Sequence, residues 1–167
     1  AFLLTLVMTI QLITSNSLST FTVNANEFET PILNPAQWTY EIKGNDIVLL
    51  NCLEATNLTI YPKYKTNTTG DTEYNTILTD SSETVRPFEA VKDTVTSITI
   101  LPGVSSANNK MNYMFADLGQ LKSVDLSFSN CTPDTAYMFL NCTDLVNVDI
   151  KSFSFRNSSQ GTFKNCS

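Results

Sequence analysis

Histidine is absent from all 167 residues. That absence removes Ser-His-Asp and Cys-His nucleophilic machinery together with the commonest protein metal ligand. Glycine is scarce, with five residues, and none of them is placed to form a phosphate-cradling loop. Basic side chains number 10 against 16 acidic ones, a net charge of −6 with a pI near 4.5. A phosphate-binding surface needs clustered Lys and Arg, so nucleic acid is not an expected partner, and the same acidity gives no attraction to anionic lipid. The four cysteines, Cys52, Cys131, Cys142 and Cys166, include no Cys-x-x-Cys pair and match no zinc spacing. The expectation is a protein that is not an enzyme and uses no cofactor and no metal.

The chain opens on an apolar run. Residues 1–25 carry no charged side chain, and Ala1 to Ile13 is almost wholly apolar before Ser, Thr and Asn take over. A spanning helix needs about 20 apolar residues, which this run does not reach. It reads as the hydrophobic core of a secretory signal peptide lacking its own start, with Val23-Asn24-Ala25 as the small-residue cleavage site. The competing reading is a buried N-terminal helix of the mature fold. Pro31 and Pro35 mark 26–36 as a linker.

From residue 37 to 86 the pattern is β-rich. Trp38 to Lys43 alternates large and polar residues, Gly44-Asn45 supplies turn chemistry, and Asp46 to Leu53 returns as a second strand. Leu58 to Ile60 is a short strand closed off by Pro62, and Asp71 to Thr79 is another weak one. This region is expected to be a separate small domain or the N-terminal cap of the repeats downstream of it.

Residues 87–167 are expected to be repeats of about 24 residues, incomplete at the C-terminus. Asn112 to Leu126 aligns on Ala136 to Ile150 without a gap: Tyr113, Met114, Phe115, Leu121, Val124 and Asp125 recur as Tyr137, Met138, Phe139, Leu145, Val148 and Asp149. A third copy opens in register at Phe163, Asn165 and Cys166, and a degenerate earlier one runs from Phe88 to Ile100. The apolar spacing predicts one short strand per repeat, with the Tyr-Met-Phe segment forming a helical return. The expected fold class is therefore α/β: a leucine-rich-repeat-type solenoid of short parallel strands and helical turns behind a small β-rich region. Stacking of successive coils then completes each coil's apolar interior.

The stretch from Tyr137 to Ile150, with Met114, Phe115, Leu121, Val124, Asp125, Leu126 and Ser127 one copy earlier, resembles the repeat unit of the BspA-like leucine-rich-repeat surface proteins of bacteria. Leu118 stands where that unit has Cys, and Asn141 and Asn165 replace its usual Gly. The resemblance implies display on the cell surface or in the cell wall, and adhesion to a protein or glycoconjugate on host or neighbouring cells. The alternatives are a structural wall spacer and a carboxylate-dependent hydrolase.

Strand positions facing outward would form columns: Ser97, Ser123 and Asn147; Thr99, Asp125 and Asp149; Ser127 and Lys151. These are the candidate binding residues, and a solvated surface is the competing reading of each. Asp125 and Asp149 would lie on adjacent rungs ~4.8 Å apart. Glycosidase carboxylates flank a bond from opposite sides, whereas stacked aspartates point the same way. Cys142 and Cys166 occupy equivalent positions, either bonded to each other or buried singly as small packing residues.

Overall fold

The computed structural model describes residues 37–65, 72–127, 133–150 and 159–167. The signal-like segment, the linker, Cys131 and Lys151 lie outside them.

The expected hairpin forms. β1 (Trp38–Lys43) pairs antiparallel with β2 (Asp46–Cys52), and Gly44 takes a φ of 63° in the turn, where a Cβ would be strained. A bulge at Thr39/Tyr40 shifts the register. β2 then pairs in parallel with β5 (Glu73–Leu78), which the sequence pattern did not specify. The other edge of β5 is shared, first with β4 (Lys63–Lys65) and then with β7 (Ser105–Ser106).

The second sheet is entirely parallel, in the order β3, β6, β8, β9. Its strands are β3 (Asn57–Ile60), β6 (Ser97–Ile100), β8 (Ser123–Leu126) and β9 (Asn147–Ile150), paired without slippage. Three successive parallel pairings make a β-solenoid of about three turns. Leu58, Ile98 and Val124 point inward and are buried, as are Ile60, Ile100 and Leu126. β3 comes from the region before residue 87, so the β-rich segment supplies the first rung of the sheet as well as the hairpin above it.

The helical returns do not form, and the α/β class is corrected to a β-solenoid. Among the described residues the only helical element is a 3-10 turn at Glu89–Val91. The reason lies in the backbone of the Tyr-Met-Phe segment. Tyr113 and Asp117 have φ of 58° and 63°, Tyr137 and Asn141 have 56° and 59°, and Gly161 and Asn165 have 62° and 60°. Left-handed residues four apart break any helix. Alternate N–H groups instead leave the coil: Tyr113, Phe115 and Asp117 donate to the carbonyls of Ala136, Met138 and Leu140 at 3.1, 2.9 and 2.7 Å. Tyr137, Phe139 and Asn141 repeat this onto Gln160, Thr162 and Lys164 at 3.0, 2.8 and 2.9 Å. The N–H groups in between, of Met114, Ala116, Met138 and Leu140, make turns within their own coil, so the segment is paired half between coils and half as turns.

Inside, the 24-residue period becomes a column of rings. Phe88, Phe115, Phe139 and Phe163 follow one another at centroid separations of 5.2, 5.3 and 5.2 Å, and Trp38 closes the column edge-on to Phe88 at 5.8 Å. Phe88, Phe115 and Phe139 are fully buried. Each such contact contributes about 0.5–1.5 kcal/mol beyond the area it buries. One continuous core thus runs from Trp38 to Leu145.

Candidate binding face

The outward side of the parallel sheet carries two columns in register. One is Asn57, Ser97, Ser123 and Asn147; the other is Thr59, Thr99, Asp125 and Asp149. Ser97, Thr99, Ser123, Asp125, Asn147 and Asp149 all stand where the sequence placed them, partly or fully exposed. Repeat spacing alone misses Asn57 and Thr59. Their Asn-Leu-Thr-Ile strand has the same alternation as Ser97-Ile98-Thr99-Ile100, but it lies far from the 24-residue period that reveals the others.

Ser127 does not belong on the face. It is buried at 8% exposure, its N–H donating to the Ile100 carbonyl at 2.9 Å and its hydroxyl to Asp125 Oδ1 at 3.2 Å. It holds Asp125 from behind. At the other end Ser97 and Thr96 donate to Asn57 Oδ1 at 2.7 and 3.1 Å, which fixes that amide across the first two rungs. The result is an array of hydroxyl, amide and carboxylate groups in register from strand to strand. Asp125 and Asp149 lie opposite each other on paired strands and project the same way.

A different face of the coil, formed by the Tyr-Met-Phe turns, is locked by ladders. Asn165 donates to Asn141 Oδ1 at 2.7 Å, Asn141 donates to Asp117 Oδ1 at 2.6 Å, and Arg86 pairs with Asp117 Oδ2. Burial alone would raise the Asp117 carboxyl, but the bonds from Asn141 and Arg86 outweigh it and hold the group below its ordinary value. Tyr113 stacks on Tyr137 at 5.1 Å, with Arg86 over the first ring at 5.6 Å and Lys164 over the second at 5.9 Å. Cys142 and Cys166 are free thiols, not a disulfide. They donate to the carbonyls of Phe115 and Phe139 at 3.0 and 3.1 Å. Burial pushes the Cys142 thiol up to about 12, where it is inert as a nucleophile.

Two shallow depressions of about 490 and 530 Å³ lie away from the polar columns of the parallel sheet, one beside Lys43, Asp46 and Asp80 and the other beside Asn51, Arg86 and Glu89. Among the described residues no cluster of three or more Cys, Asp or Glu side chains could hold a metal ion, and no helix is long and apolar enough to cross a membrane.

A coil with in-register parallel rungs and side-chain ladders between turns defines a solenoid repeat protein. No family model, curated protein or solved structure matches the chain.

Proposed function

We propose that this is a secreted or cell-surface binding protein, adhering to a protein or glycoconjugate through the outward face of its parallel sheet, and that it is not an enzyme. The observation that carries this reading is the pair of polar columns, Asn57 to Asn147 and Thr59 to Asp149, held in register by four strands. Rigid, pre-ordered polar groups lose little entropy on binding, so each hydrogen bond to a partner contributes more of its worth. The resemblance of the repeats to BspA-like surface proteins supports the adhesive role, and the apolar leader followed by Val23-Asn24-Ala25 supports export.

The test is binding of the purified chain to host matrix proteins and intact cells, beside a Thr99→Arg/Asp125→Arg double variant. Both positions project from the sheet, so the variant is expected to keep its circular dichroism spectrum and lose binding at least tenfold. Chain that binds nothing yet stays with the cell wall supports the spacer reading instead. Release of sugars or peptides from the target supports a hydrolase.

A further inference from the structure

We propose that the outer side of the first sheet is a second docking surface, one that takes an extended, basic segment of a partner protein. The sheet of β1, β2, β5 and β7 turns Ile47, Leu49 and Leu78 into the core. Val48 points the other way, because successive side chains on a strand alternate between faces. It is nonetheless buried at 7% exposure and lies outside the core cluster. Glu41 and Ile77 flank it on the two paired strands, and it forms the floor of the 490 Å³ trough together with Leu50, Ile77 and Ala107, all three partly covered.

The rim of this apolar floor carries a surplus of negative charge. Glu41 is paired with Lys43 at 2.9 Å, so that couple is neutral. Asp46 and Asp80 also line the trough, and among the described residues neither has a basic partner. Both are held in place by amides: Asn75 Nδ2 donates to Asp46 Oδ1 at 3.2 Å, and the Asn108 N–H and Nδ2 donate to the two oxygens of Asp80 at 2.9 and 2.7 Å. Amides aim a carboxylate without cancelling its charge. Asp46 stands opposite Asn75 and Asp80 follows the end of β5, so the two carboxylates mark opposite ends of the trough, on the order of 16 Å apart along the strands.

A shallow trough does not enclose a free small molecule, whose sites are concave and cover most of its surface. It fits a strand-like segment carried by a larger partner. Two lysines or arginines four residues apart share one face of such a strand with the residue midway between them, over a span of about 13 Å. An apolar residue at the middle position meets Val48 and Ile77, while the long stems lie along the floor and their charged heads reach Asp46 and Asp80. The net charge of −6 draws a cationic partner toward the chain. Exposed ion pairs contribute little singly, so the floor supplies part of the affinity and the two carboxylates set the orientation.

Amide chemical-shift titration of the whole nitrogen-labelled chain tests this, with a capped Lys-Thr-Val-Thr-Lys peptide as the probe. Saturable shifts are expected at Val48, Leu50, Ile77 and Asp80. Combining Asp46→Asn with Asp80→Asn should raise the dissociation constant about fivefold or more. Ile77→Thr, which keeps a β-branched side chain on the strand, should raise it about threefold or more. Thermal melts check that both variants fold. The Thr99→Arg/Asp125→Arg variant is altered on the other sheet and should bind the peptide as wild type does, so this outcome is separable from failure of the adhesive reading. The proposal is overturned by the absence of saturable shifts at about 5 mM peptide, by equal binding of a peptide with glutamate in place of lysine, by equal affinity for spermine, or by shifts confined to the polar columns.

Discussion

At the scale of single residues, the asparagines of the turn do two tasks that can be pulled apart. Asn141 accepts a left-handed backbone, a conformation that costs most L-residues about 1–2 kcal/mol, and its amide links the Asp117 and Asn165 rungs. Asn141→Gly relieves the backbone but removes the ladder, so it is expected to cost about 1–2 kcal/mol; Asn141→Ala loses both and is expected to cost about 2–4 kcal/mol. Urea unfolding of the two variants measures the difference, and equal losses would mean that the backbone conformation contributes nothing. Asp117 adds a pH dependence. Its folded-state pKa lies below the ordinary carboxylate value, so its contribution is present above that value and is lost as pH falls through the folded pKa. The urea midpoint is therefore expected to drop below about pH 4, and Asp117→Asn should flatten that drop while lowering stability at neutral pH.

At the scale of elements, the rungs of the repeats are legible in the sequence, whereas the turns and the short strands β4 and β7 are not. Alternation at Ser97 to Ile100, Ser123 to Leu126 and Asn147 to Ile150 fixes which side chains face the core, because a one-residue slip would turn every apolar group outward. The Tyr-Met-Phe segment mimics a helix, since its apolar residues are dense and its left-handed positions are mostly filled by residues other than glycine. The contrary signal sits in Asp117, Asn141 and Asn165, residue types that tolerate positive φ and recur at one register, and in Gly161, which stands where Tyr113 and Tyr137 do. At Gly161 the space is as restrictive as the backbone: a Cβ there would come within 2.6 Å of the Tyr137 ring. β3 is legible as a strand but not as a rung, because its step to β6 runs from residue 57 to residue 97 and carries an insertion that hides the repeat. Far-UV circular dichroism should accordingly show a strand-dominated spectrum. A strong helical double minimum from the folded repeats would contradict the turn geometry.

At the scale of the whole molecule, the hairpin and the solenoid are coupled through one column of rings. Trp38, the single tryptophan, lies at the hairpin end of that column, three ring contacts from Phe139. Phe139 is fully buried between Phe115 and Phe163, so Phe139→Ala opens a cavity in the third coil and is expected to cost about 3–5 kcal/mol. Nearest-neighbour stacking alone would let the distal coils melt while the hairpin stayed folded. The Cys52 N–H to Pro87 carbonyl bond at 2.7 Å ties the hairpin to the segment entering the Phe88 coil, and the Arg86–Asp117 pair ties that segment to the next coil, which argues for a single transition. Trp38 fluorescence and circular dichroism are thus expected to report the same urea midpoint, and Phe139→Ala should shift both together although residue 139 lies far along the chain from the indole. A fluorescence midpoint that stays in place while the dichroism moves would mean that the hairpin and the coils fold as separate units.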